Sequence, residues 1–440
     1  MRKFIVLLFL PIAALAQKNY PALLDEYAQA AYKIKEFNGN VLVMQKGKEI
    51  YKKSFGLADR EWNAPNTSIT KFRIGSITKQ FTAAAILQLA SQGKLSLDDP
   101  LNKYLPGYPK GDSVTIHMLL NHTSGIVNYT NLPEFWPKAT LPLSTDSMIA
   151  IFKDKPFDFS PGAKWSYSNS GYFLLGVIVE KVSGKKFSAY LMDNILKKAG
   201  MQNSGMDQLD SILAFRAKGY FKNNQGLWQH AMYISMDAPY SAGAMFSTVD
   251  DLYKWIKLLS ANQVLPETYT KKMLTAYKNN YGYGIGVDSL KNHPRISHGG
   301  GIPGFVTHLA YFPQDDVCVV VLSNNSTDAG SLGNALASLI FDLPVQKLYI
   351  PKEVKIDSLL LDKLVGKYMA TTPIELIKKD NKLYRHREGT EDIELKPESN
   401  TRFFYADDSD RFIEFELDKD GKFINAWLIR EAEKTVLKKL

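Results

Sequence analysis

At 440 residues, 45% hydrophobic and 22% charged, the chain has the make-up of a globular protein with room for more than one domain. The formal charge of +9 is small for this length, and its Lys and Arg are scattered without interleaved aromatics, which speaks against a nucleic-acid partner. The single cysteine, Cys318 in VCVVVL, excludes an intrachain disulfide and reads as a packing residue of a buried strand.

In chain order, Arg2 and Lys3 precede an apolar run from Phe4 to Leu15, and Ala14-Leu15-Ala16 fits a small-x-small cleavage site. Residues 1–16 are expected to be a signal peptide, with the mature chain starting at about Gln17. The expected location is therefore periplasmic or secreted. No cysteine follows for a lipid anchor, and no later run reaches the ~18 apolar residues of a transmembrane anchor. GNVLVMQKGKEIYKKSFG predicts two strands turning at Lys46-Gly47-Lys48. Helices are predicted from FTAAAILQLASQGKL, GYFLLGVIVEKVSG and TVDDLYKWIKLL, the last with Thr248 as N-cap. FVTHLAYFP and DVCVVVLSN predict late strands joined by a turn at Gln314-Asp315. Strands at both ends with helices between them predict an α+β domain with one antiparallel sheet. Beyond Pro351 the texture changes. IELI, KLYR, IELK, RFFYA, FIEFEL and FINAWLI alternate with turn signals, which predicts a small all-β domain.

The chemistry starts from SITKFRIGSITK, residues 68–79, in which one tetrapeptide occurs twice. A serine three residues before a lysine marks one class of serine nucleophile, and the pattern occurs at Ser68, Ser76, Ser91 and Ser183. Ser68 precedes an alternating stretch that reads as a strand, where residues three apart point to opposite faces. Ser91 and Ser183 lie next to helix-ending glycines. Ser76 opens a long helical run, so Lys79 falls on the same face one turn on, and the helix N-terminus favours negative charge at Ser76.

Tyr-x-Asn occurs at Tyr129, Tyr167 and Tyr277. Only Tyr167-Ser168-Asn169 follows a Pro-Gly turn and precedes a predicted helix. Beside cations, the phenolate of Tyr167 would be favoured and would serve as a base; a buried tyrosine at a helix start is the plainer reading. In ISHGGGIPGF, the three glycines allow close backbone approach. A backbone N–H there and that of Ser76 would make an oxyanion hole, while a glycine-rich turn in which His298 merely packs fits these residues equally well. There is no HExxH and no GxSxG. His122 in NHTSG reads as a loop-fixing residue rather than a base. Tyr129, Phe135 and Trp136 fit either a cleft wall or loop packing.

The order SITKQF, PGAKWSYSNSGY, SHGGGIPGF resembles the class C β-lactamase and penicillin-binding-protein-like serine hydrolases. That family includes β-lactamases, D-alanyl-D-alanine carboxypeptidases, D-aminopeptidases and carboxylesterases. LLNHTSGI and SAGAMFSTVDDL also match, and the resemblance spans roughly Tyr20 to Ile340. It implies a β-lactamase/transpeptidase-like fold over residues 17–349, with an antiparallel sheet flanked by helices plus a mainly helical region. Residues 350–440 are similar to the barrel-like appendages of some members. The resemblance further implies Ser76 as the acylated nucleophile, Lys79 as its activator and Tyr167 as a proton shuttle. Asn169 would orient the substrate amide and Lys79. His298-Gly299-Gly300 would stand for the K-T-G strand motif, with the oxyanion N–H on Gly301. Histidine in place of lysine implies a weaker pull on a substrate carboxylate and favours a peptidase or esterase over a β-lactamase. The expectation is an exported enzyme without metal or organic cofactor, acting on a small-molecule or peptide substrate such as a cell-wall-derived one. The rival readings are true β-lactam turnover and a non-catalytic penicillin-recognising protein.

Overall fold

Six strands form the central sheet because two hydrophobic runs far apart in sequence pair side by side. In the computed structural model, which describes residues 18–440 except 209, 224, 371–372, 388–389, 408–410, 421 and 431–432, helix α1 (Tyr20–Ile34) leads into β1 (Gly39–Gln45) and β2 (Lys48–Phe55). The signal-peptide expectation lies outside the described residues. Lys46 and Gly47 both have positive φ (50° and 75°), as a two-residue hairpin turn requires, so the predicted turn is met. After the helical region come β3 (Gly286–Leu290), β4 (His293–Ile302), β5 (Phe305–Phe312) and β6 (Val317–Ser323). The order across the sheet is β3-β4-β5-β6-β1-β2, antiparallel throughout. Val41 lies opposite Val321 and Val43 opposite Val319, so the first and last hydrophobic strands share the middle of the sheet. Every residue of β6 is buried, since helices cover both faces, and Cys318 is buried with them.

On one face lie α1 and the helix Ala329–Ile340, around a core of Leu24, Phe37, Val41, Val319 and Leu336. On the other lies the helical region, built around α2 (Thr78–Ser91) and α3 (Asn169–Ser183). Twelve of the fourteen residues of α2 are buried, and its apolar residues form no single stripe; it is a central helix enclosed all round. Phe81 stacks on Trp255 of the helix Val249–Ser260, ring centroids 4.1 Å apart. The Trp255 indole N–H donates to Gln80 Oε1 at 2.7 Å, so the buried amide is paired on its oxygen. Thr248 caps that helix, its hydroxyl accepting from the Asp251 N–H as predicted.

The C-terminal residues close an eight-stranded antiparallel barrel from Gly366–Met369 to Glu433–Lys439, shut by Tyr368 pairing with Lys439. All six predicted segments are strands. The closing first and last strands went unread, and so did the helix Ser358–Leu364, which buries Leu361 and Leu364 in the barrel core. Each strand sends at least one side chain inward, among them Tyr368, Leu376, Leu383, Leu395, Phe403, Phe415, Ala426 and Leu437.

The three-glycine run in β4 meets the sheet–helix seam at one point. A Cβ on Gly300 would overlap the Ile74 carbonyl oxygen and Thr307 Oγ1, whereas a Cβ on Gly301 would enter open space. Gly300→Ala is therefore expected to destabilise the fold by about 2 kcal/mol or more. Gly301→Ala should stay within about 0.5 kcal/mol. Denaturant unfolding of the two variants side by side checks this; equal effects would contradict it.

Candidate active site

Ser76 sits in a 3-10 turn, Gly75–Ile77, that runs straight into α2 at Thr78. Gly75 makes the turn with φ +51°, and a Cβ there would come within 2.9 Å of the Gly301 backbone nitrogen. The segment carrying Ser76 and strand β4 thus come backbone to backbone at Gly75 and Gly301. The other Ser-x-x-Lys serines fall away: Ser68 is exposed in a turn, Ser91 is exposed at the end of α2, and Ser183 ends α3.

Lys79 points into the core and is fully buried. Its Nζ donates to Asn169 Oδ1 at 2.7 Å and to the Ala242 carbonyl at 2.8 Å, and lies 3.1 Å from Ser76 Oγ. Burial pushes its pKa well below the usual lysine value. An unpaired buried ammonium costs several kcal/mol, and its oxygen partners are all neutral. Burial thus favours the neutral amine, which would give its two N–H groups to Asn169 and Ala242 and turn its lone pair to the Ser76 hydroxyl.

Asn169 opens α3, and its amide is oriented from behind: Nδ2 donates to Asn128 Oδ1 (3.2 Å) and Thr130 Oγ1 (3.3 Å). Both amide protons are therefore occupied within the protein, and Asn169 holds Lys79. Thr130 belongs to one of the decoy Tyr-x-Asn triplets. The tyrosine of that triplet, Tyr129, is buried with Phe135 in the core, so these two pack the loop, while Trp136 stays partly exposed.

Tyr167 faces the same point. Its ring lies 4.8 Å from Lys79 Nζ, and its hydroxyl oxygen is buried without a hydrogen-bond partner among the described residues. Burial raises its pKa above that of an ordinary phenol. This corrects the expectation of a favoured phenolate: burial favours the phenol form of Tyr167.

His122, with φ +62°, holds the chain on both sides of Tyr167. Its carbonyl accepts from the Ser166 N–H at 3.0 Å, and its Nδ1 accepts from the Ser168 N–H at 3.2 Å. Burial, then Lys79 and His298, lower its pKa well below the usual histidine value. This is the loop-fixing role read from the sequence.

His298 projects from β4 on the same face as Gly300, towards Ile74, because residues two apart share a face. Its Nδ1–H donates to the Gly299 carbonyl at 2.5 Å, so Nε2 accepts from the Tyr281 hydroxyl at 2.9 Å. Desolvation, then Lys79, push it down to about 4. His298 is thus neutral at pH 7, a correction to the partly protonated imidazole expected from sequence. Tyr281 and the Ala242 carbonyl went unread. SAGAMFSTVDDL was matched as a segment, but nothing in it marks one carbonyl, and Tyr281 stands 17 residues from its partner.

Comparison with known proteins gives the family. The beta-lactamase family model matches residues 27–339. Penicillin-binding protein 4* of Bacillus subtilis is 28% identical over 399 residues, 84% of this chain and 88% of its own. The teichoic acid D-alanine hydrolase of Staphylococcus aureus is 29% identical over 311 residues, 69% of this chain and 72% of its own. The octameric penicillin-binding protein homologue from Pyrococcus abyssi superposes with a TM-score of 0.68 at 26% identity, covering 95% of this chain and 99% of that one. The match spans the Ser76 turn, the Tyr167 loop and the glycine strand together, and the chain belongs to the beta-lactamase family.

Proposed function

We propose that the protein is an exported serine hydrolase that cleaves ester or amide bonds of D-amino acids through an acyl-enzyme on Ser76. The observation that carries this is the buried amine of Lys79, clasped by Asn169 and Ala242 and 3.1 Å from Ser76 Oγ. Family membership supports the hydrolase class, and the D-alanine hydrolase among its relatives supports the substrate class. We take residues 17–349 as the hydrolase unit and 350–440 as an appended barrel domain.

In this reading the neutral Lys79 accepts the Ser76 proton as Oγ attacks the carbonyl carbon. The carbonyl oxygen, now negative, lies at the N–H groups of Ser76 and Gly301, the first at a helix N-terminus. Collapse of the adduct expels the leaving group, which takes the proton from the Tyr167 hydroxyl, while the Lys79 ammonium returns its proton to Tyr167. Water then attacks the ester by the reverse route, giving the free acid and Ser76. A protonated phenol suits this donor role better than a phenolate would.

The four Ser-x-x-Lys serines provide the test. Fluorophosphonate should label the tryptic peptide Ile74–Lys79 and leave Glu61–Lys71, which contains Ser68, unlabelled. Ser76→Ala should abolish turnover of a p-nitrophenyl ester, and Ser68→Ala should retain it; the reverse would sink the assignment.

The grip of His122 on the Tyr167 loop is expected to show in kcat. His122→Phe, which removes the acceptor for the Ser168 N–H, should lower kcat about 10-fold or more through a displaced Tyr167. His122→Asn keeps a short acceptor and tolerates the positive φ, so it should recover part of that loss. A His122→Phe enzyme with unchanged kcat would contradict the clamp.

A further inference from the structure

Of the two oxygens that clasp Lys79, the Ala242 carbonyl belongs to a helix of only four residues, Tyr240–Gly243. A single turn does not hold itself in place. This one opens on Tyr240 with φ +36°, a left-handed conformation that a bulky residue keeps only under outside restraint. Ser241, the residue before Ala242, supplies that restraint and is fully buried. Its hydroxyl donates to the Tyr172 carbonyl at 2.9 Å, with the Phe173 carbonyl at 3.3 Å, both inside α3. Its own carbonyl accepts from the Thr82 hydroxyl at 2.6 Å. Thr82 follows Lys79 by three residues on α2 and shares its face, so α2 grips two successive carbonyls of the short helix. Gly176 makes room for the contact with α3: a Cβ there would stand 2.1 Å from Ser241 Oγ and 2.4 Å from Ser241 Cβ.

Resting on the acyl-enzyme reading above, we propose that Ser241 is a positioning residue of the reaction: its hydroxyl pins the Ala242 carbonyl to α3 and thereby aims the Lys79 nitrogen at Ser76. Tyr172 lies three residues beyond Asn169, so α3 carries one acceptor of Lys79 at its start and the anchor of the other a turn later. The distance between the two acceptors is therefore set by one rigid helix. With both in place, the remaining direction of the tetrahedral nitrogen falls on Ser76 Oγ, 3.1 Å away. Without the Ser241 hydroxyl, only α2 holds the short helix. The Ala242 carbonyl can then swing with Lys79 itself, and the aim at Ser76 is lost. The fold should bear the change, because the Tyr172 and Phe173 carbonyls lie inside α3, where helical N–H groups four residues on also reach them.

Saturable labelling of Ser76 by an uncharged fluorophosphonate yields a maximal rate, kinact, and a half-saturating concentration, KI. Ser241→Ala is expected to lower kinact about 10-fold or more while KI stays within about 2-fold, since the groups that meet the reagent are untouched. In a Lys79→Ala background, followed over hours at saturating reagent, the same substitution should change the rate by less than about 2-fold, because its effect runs through the amine. Thr82→Val keeps the volume of the side chain and removes the other tether of Ser241; it should lower kinact in the same selective way and serves the same comparison if Ser241→Ala does not fold. An unchanged kinact, a loss shared equally between kinact and KI, or an equal loss with and without Lys79 would overturn the inference. Lys79→Ala labelled as fast as the native enzyme, or no labelling of native Ser76, would instead refute the acyl-enzyme reading on which it rests.

Discussion

The active centre depends on one buried amine. Lys79 lies on a helix enclosed on every side, and among the described residues its nitrogen meets a side-chain amide, a backbone carbonyl and the Ser76 hydroxyl, with the rings of Tyr167 and Tyr172 4.8 and 5.6 Å away. None of those partners is anionic, so no opposite charge offsets the desolvation that lowers the pKa of the amine. They also come from three separate parts of the chain. Ser76 precedes Lys79 by one helical turn, Asn169 starts a second helix, and Ala242 lies in the short helix Tyr240–Gly243. Packing of these helices against one another is therefore what sets the surroundings and direction of the Lys79 amine.

The same low-polarity setting accounts for the rest of the centre. Tyr167 is held as a phenol, and His298 and His122 as neutral imidazoles, because desolvation outweighs the attractions available to their charged forms. In the proposed mechanism, protons would move among these neutral groups and developing charge would meet backbone N–H groups. Gly300 lets strand β4 come up against Ile74, and Gly75 takes a backbone turn with positive φ. These two glycines join the sheet to the Ser76 turn.

Much of this was legible in the sequence wherever local periodicity carries the information. Ser76 could be told from Ser68 because one begins a helical run and the other enters an alternating stretch. The pairing of early and late strands followed from their hydrophobicity. What escaped depended on contacts made only after folding. The charge of His298 is set chiefly by desolvation on folding, and its ring is held by a hydroxyl 17 residues away; neither leaves a mark in SHGGG. The Ala242 carbonyl is invisible because any residue supplies one. Barrel closure was missed for a similar reason: its first and last strands, GKYM and EKTVLKK, are short or lysine-rich and become strands by pairing with each other across the chain. Thr130 shows the opposite error, since a triplet set aside as a decoy supplies the hydroxyl that orients Asn169.

The state of Lys79 is open to direct measurement through the rate at which an uncharged fluorophosphonate acylates Ser76 as a function of pH. An amine held neutral by burial predicts a rate that climbs through a pKa well below 10.5 and is already level at neutral pH. A rate that goes on rising up to pH 10 would mean that Lys79 is an ordinary ammonium at neutral pH, and would contradict the account at its centre.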